Sequence, residues 1–221
     1  MKRFPNESIE YRQARSRLLQ AEIDLRTKIE QVARERRQLP KGGLVKEDYT
    51  FEGIMPDGAV KSIRLSELFS PGKDSLIIYS FMYGPKMEKP CPSCTSLIDG
   101  FNVTAPHTTQ RVNMVIVAKS PIERIMTFAR SRGWDKIRLL SSYQNTYNRD
   151  YLAEGEDGSQ LPMINVFVKS DGSVHHSWGS ELLYAEAEGD PRHVDLVWPL
   201  WNLLDLTPEG RGTDWNPKLS Y

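Results

Sequence analysis

The sequence predicts an α/β fold in which a central mixed sheet is flanked by helices and preceded by a long N-terminal helical arm. Three observations carry this expectation. Residues 6–39 are highly charged, lack glycine, and place Leu18, Leu25, Ile29 and Val32 at helical spacing. Residues 75–82 form a continuous apolar run rich in Ile and Tyr, the mark of a strand buried on both faces. Beyond it, strand-like and helix-like segments alternate, as βαβ units of a mainly parallel sheet require.

The arm ends at Pro40-Lys41-Gly42-Gly43, because proline disfavours helix in the residue before it and the glycines open a turn. Its apolar stripe is narrow, which suits packing on the domain surface or on a second copy of the chain. The basic cluster 34–37 reads as a solvated face near a helix C-terminus, where the helix dipole favours cations. Residues 49–51 and 60–63 flank the turn Pro56-Asp57-Gly58 and read as a hairpin, followed by a brief helical turn over 65–69.

The alternation then runs helix 94–110, strand 112–118, helix 121–132 and strand 137–140. Ser120 is the expected N-cap of the second helix, with Pro121 at its first position. A polar stretch over 141–160 ends at Leu161-Pro162. Strands 163–169 and 174–178 join through Ser170-Asp171-Gly172-Ser173, where Asp-Gly supplies the positive φ of a tight hairpin turn. Apolar residues at Val194, Val197, Trp198, Trp201 and Leu204 predict one closing amphipathic helix over 193–206. The expected organisation is therefore an arm over 1–43, a domain over 44–206 and a surface tail over 207–221.

Composition narrows the function. Lys and Arg number 29, as do Asp and Glu, so no net field favours a polyanion and nucleic acid is not an expected partner. The polar N-terminus offers no signal-peptide core, and the longest apolar run falls well short of the ~20 residues of a membrane span. The expectation is a soluble, cytoplasmic protein without a membrane partner. Two cysteines, closing only a four-residue loop, constrain an unfolded chain very little, so their use is chemical rather than structural.

Those cysteines form Cys91-Pro92-Ser93-Cys94 at a strand-to-helix junction. The free N–H groups and dipole of a helix start favour an anion, which makes Cys91 the expected nucleophile. Two intervening residues bring Cys94 within reach after one turn, so it can resolve a mixed disulfide. Pro92 is pre-set for the first helical turn, and Ser93 adds a small polar group beside the sulfurs. No cofactor is expected beyond a redox-active Cys91–Cys94 disulfide.

The order strand, Cys-Pro-Ser-Cys helix, strand, helix, polar segment, Pro162, hairpin and terminal helix resembles the thioredoxin-like fold. More closely, the chain resembles a bacterial family of predicted dithiol-disulfide oxidoreductases without a settled substrate. The resemblance rests on residues 81–85, 91–101, 120–124, 145–150 and 198–210. It implies that Leu161 and Pro162 contact substrate backbone, Pro162 at the place where a cis-proline can stand. The sequence departs from thioredoxins in the intervening residues 83–90 and in Pro90 before the motif, where they carry tryptophan. The peroxiredoxin pattern Pro-x-x-x-Thr-x-x-Cys is absent: Gly84 and Glu88 stand at its positions before Cys91, Met87 and Cys91 before Cys94.

Other residues admit plainer readings. Cys91, Cys94 and His107 have the first three spacings of a zinc finger, but no second histidine follows at the required distance. His175 and His176 fall on opposite faces of a strand, and His193 starts the last helix. Residues 145–151 read as a loop that could line the dithiol or satisfy its own backbone. Trp198 and Trp201 share a helix face as packing residues, and Lys86 and Lys89 are solvated or lower the thiol pKa through space.

The sequence thus points to a thiol-disulfide oxidoreductase in which Cys91 attacks and Cys94 resolves. Its partners are a protein or small-molecule disulfide substrate, an unidentified reductant and, through the arm, a second copy of the chain. The alternative is a thioredoxin-fold binding or scaffold protein without redox turnover.

Overall fold

The computed structural model describes residues 3–186 and 189–221, and divides into two compact units after Pro40. In the first unit, α1 (Ile9–Gln38) starts at Ser8, whose hydroxyl accepts the Tyr11 N–H at 3.1 Å. It stops at Leu39, which turns extended before Pro40. No residue of α1 is buried among the described residues.

The second unit contains one seven-stranded sheet ordered β2-β1-β5-β4-β3-β6-β7. Its strands are β1 (Thr50–Ile54), β2 (Val60–Arg64), β3 (Ser75–Phe81), β4 (Asn113–Ala118), β5 (Arg138–Ser141), β6 (Ile164–Ser170) and β7 (Ser173–Gly179). β3, β4 and β5 run parallel, while β6 and β7 add an antiparallel pair beside β3. The β1–β2 hairpin joins the far edge antiparallel to β5. Strand, crossover helix and parallel strand on one side of β3, with an antiparallel pair on the other, make the fold thioredoxin-like.

The crossover helices are α2 (Pro92–Thr108) and α3 (Ile122–Arg132). Both contribute to the same core, because successive crossovers running the same way across a sheet keep to one face. Alternation along β3 sends Tyr79 and Phe81 to that face and Leu76 and Ile78 to the other. The second face is covered by Phe51, Leu65, Leu68, Phe167 and Tyr147, the last on α4 (Tyr147–Asp150). A strand buried on both sides accounts for the unbroken apolar run.

The β6–β7 turn has Asp171 at φ 53° and Gly172 at φ 77°, the two positive values a type I′ hairpin needs. Three expectations are corrected. Pro121, not Ser120, caps α3: the Pro121 carbonyl accepts from Arg124 and Ile125, and Ser120 is buried behind it. The closing helix is not continuous over 193–206, since a 3₁₀ turn at Asp195–Val197 ends at Trp198 and α5 (Pro199–Leu204) begins afresh. Pro199 lacks the N–H that would carry one helix through. The segment 145–151 is not a loop throughout, because α4 occupies its centre.

Candidate redox site

The dithiol stands where β3 hands over to α2. After Phe81 the chain makes an excursion through residues 83–90 and returns, the Cys91 N–H donating to the Met82 carbonyl at 3.0 Å. The inserted residues therefore close on themselves and leave Cys91 at the end of the strand. Arg124, on α3, holds this excursion. Its guanidinium lies 4.2 Å from the Tyr83 ring centroid and donates to the carbonyls of Gly84 at 3.2 Å, Glu88 at 3.0 Å and Met87.

Cys91 is the N-cap of α2 and Pro92 its first residue. The Cys91 carbonyl accepts both the Thr95 N–H at 3.0 Å and the Thr95 hydroxyl at 2.8 Å. Its sulfur accepts the Cys94 N–H at 3.5 Å, so a thiolate there meets the unpaired donors of the helix start. The Cys91 pKa is lowered to about 6. The Cys94 thiol hydrogen bond is the main cause; burial opposes it, and the backbone N–H groups of Cys94 and Ser93 assist.

Cys94 faces the opposite way electrostatically. It is buried, and burial, followed by the hydrogen bond to and charge of Cys91, pushes its pKa well above the ordinary thiol value. Beneath it lies the fully buried Tyr79, whose hydroxyl favours the Cys94 thiolate. One cysteine is thus prepared to ionise and the other to stay protonated until the first has reacted.

Both sulfurs open into a cleft of about 220 Å³ that Ser93 and Pro162 also line. Its far wall comes from residues 190–195 with Trp198 and Trp201. The peptide before Pro162 is trans, since no cis peptide occurs among the described residues. Leu161 is not on the cleft: its N–H donates to the Ala153 carbonyl at 2.9 Å. The Pro162 carbonyl is taken as well, by Nε2–H of His193 at 2.6 Å. Of the two residues expected to hold substrate backbone, the Leu161 N–H and the Pro162 carbonyl are engaged within the protein and Pro162 has no N–H, which leaves the Leu161 carbonyl.

The remaining candidates separate. His107 lies in the last turn of α2, at the opposite end of its 17 residues from the cysteines. Among the described residues no group of three His, Cys, Asp or Glu side chains is placed to hold a metal. His176 bonds Asn165 at 2.8 Å and His175 bonds the Gly42 carbonyl at 3.1 Å, neither of them on the cleft. Residues 145–151 belong to the other face of the sheet. No lysine contributes to the lowering of the Cys91 pKa. Sequence reasoning misses Tyr79, Arg124 and His193, since a tyrosine in an apolar run reads as core and the other two bond to backbone carbonyls.

A family model described as a bacterial protein of unknown function, DUF899, matches residues 1–221. The chain belongs to this family. No curated protein matches it. Among solved structures, the peroxidoxin BcpB of Mycobacterium tuberculosis is similar at 24% identity and TM-score 0.43, over 73% of this chain and 96% of that one. Thioredoxin peroxidase I of Plasmodium yoelii is similar at 16% identity and TM-score 0.48, over 81% and 100%. A cysteine-to-serine mutant of peroxiredoxin Q of Xanthomonas campestris is similar at 15% identity and TM-score 0.48, over 73% and 96%. No helix among the described residues is long and apolar enough to cross a membrane.

Proposed function

We propose that this member of the family is a thiol-disulfide oxidoreductase. The observation that carries the reading is the asymmetry of the two sulfurs. Cys91, at a helix start with its pKa lowered to about 6, is a thiolate at neutral pH, while buried Cys94 is a thiol.

The Cys91 thiolate attacks one sulfur of a substrate disulfide, breaking that S–S bond and forming a mixed disulfide. The departing thiolate takes a proton from water. Cys94 then loses its proton and attacks the Cys91 sulfur, which releases the second substrate thiol and leaves a Cys91–Cys94 disulfide. Two electrons pass from the protein to the substrate, and an external dithiol or thiol returns them. Stabilising the Cys91 thiolate favours the reduced protein, so it raises the potential of the pair relative to one whose thiols ionise normally.

The test is to equilibrate the protein in glutathione and dithiothreitol redox buffers and follow alkylated Cys91 and Cys94 by mass spectrometry. A reversible intramolecular disulfide is expected, abolished in Cys91→Ser, with Cys94→Ser accumulating a mixed disulfide on Cys91. Cysteines that neither pair nor react in the folded protein leave the scaffold alternative standing. Oxidation by a hydroperoxide that is faster than by any disulfide replaces exchange with peroxide chemistry.

A further inference from the structure

Resting on that reading, we infer that the dithiol exchanges with small organic disulfides rather than with disulfides in a polypeptide. A protein substrate is held beside a reactive cysteine by pairing its extended backbone with free main-chain groups. Here all but one of those groups at Leu161 and Pro162 are used or absent. The Leu161 N–H is bound to Ala153, Pro162 has no N–H, and the Pro162 carbonyl receives His193. A polypeptide laid across these two residues finds the Leu161 carbonyl alone, a single acceptor where a paired strand needs donor and acceptor together.

The cleft itself restricts size. About 220 Å³ lies below the roughly 300–1,000 Å³ of sites that take drug-sized ligands, so it fits one arm of a small disulfide and not a loop of chain. Its wall is fastened from several directions. The Trp198 indole N–H donates to the Ser96 hydroxyl on α2 at 3.4 Å, and Trp198 meets Trp201 edge-on at 5.3 Å between centroids. Arg192 pairs with Asp195 at 2.6 Å, and Arg211 bridges Asp195 at 2.9 Å and Asp205. Two arginines shared between two carboxylates tie residues 192–195 to the segment that follows α5, so displacing this part of the wall for a polypeptide disturbs several contacts together.

Tyr79, Trp198 and Trp201 give the cleft an aromatic lining, while Asp190, Arg192 and His193 give it a polar rim. That combination suits a compact disulfide with an apolar body and polar ends. In the exchange step one sulfur of such a molecule is attacked by the Cys91 thiolate, and both halves leave as thiols once Cys94 closes the protein disulfide.

The experiment mixes fully reduced protein with 2-hydroxyethyl disulfide, with cystine and with insulin in stopped flow. Formation of the Cys91–Cys94 disulfide is read by quenched alkylation and mass spectrometry. Each rate is divided by the rate of the same disulfide with free dithiothreitol, which removes its intrinsic reactivity. The small disulfides are expected to exceed insulin by about 100-fold, because access then sets the difference. Trp201→Ala, which removes part of the wall, is expected to narrow that ratio about tenfold. Insulin reacting as fast as the small disulfides in the wild-type protein overturns the inference while leaving thiol-disulfide exchange intact. A folded protein whose cysteines pair neither with these probes nor in redox buffers overturns both.

Discussion

Two fully buried tyrosines on opposite faces of the sheet show how differently one residue type is used. Tyr79, on β3, lines the cleft with Cys94 and favours its thiolate. Tyr147, on α4, places its hydroxyl near Ser80 and Asn165 without a well-formed hydrogen bond to either, and the Ser80 hydroxyl is likewise unpaired. The first tyrosine touches chemistry. The second anchors an aromatic cluster in which its ring lies 5.7 Å from Tyr49, 5.1 Å from Tyr151 and 5.2 Å from Phe51. The Tyr151 ring stands 4.9 Å from Phe167, and His176 closes the group with its pKa lowered by burial. Residues 145–150 and 91–101 both carry the resemblance to a redox family, yet only the second borders the cleft.

The sharpest way to separate the faces is to empty one. Tyr147→Ala removes a buried aromatic ring and is expected to cost about 3–5 kcal/mol, measured by urea unfolding. The iodoacetamide rate of Cys91 in the folded variant is expected to keep its midpoint at about pH 6, because no group on that face enters the causes of its pKa. A midpoint displaced toward the ordinary thiol value would show that the two faces act as one unit.

A smaller effect is expected within the cleft face. Cys94→Ala deletes the main cause of the lowered Cys91 pKa, leaving the backbone donors of the helix start. In the wild type, alkylation is expected to rise with pH through about 6 and level off above it. In the variant the midpoint moves up toward the ordinary value of ~8.5. An unmoved midpoint would assign the activation to the helix start alone.

Much of this face is legible in the sequence because its signals are local. Cysteine before proline at the end of an apolar strand marks a helix cap, and Asp171-Gly172 marks a hairpin turn, whatever the rest of the chain does. What the sequence hides is long-range or bonded to main chain. Arg124 meets carbonyls of residues some forty positions earlier, and His193 meets the Pro162 carbonyl, so no side-chain pattern announces either contact. The closing helix departs from expectation for another reason: apolar spacing runs through Pro199, and that periodicity masks the missing N–H. Residues 145–151 are ambiguous in sequence because polar and aromatic residues together suit an active-site loop as well as a packed turn. Burial of Tyr147 and Asn148 decides between them.

The smallest effect tests the comparison most directly. Tyr147→Phe removes a hydroxyl that has no well-formed hydrogen bond, so it loses no bond and relieves a desolvated polar group. The expected change in stability lies between neutral and a gain of about 1 kcal/mol. Tyr79→Phe is expected to act in the opposite way. It removes the hydroxyl that favours the Cys94 thiolate, raises the Cys94 pKa further and slows closure of the mixed disulfide. Urea midpoints and single-turnover closure rates of the two variants separate the roles: a Tyr147→Phe loss comparable to one buried hydrogen bond, or an unchanged closure rate in Tyr79→Phe, makes the two tyrosines equivalent and removes the distinction between the faces.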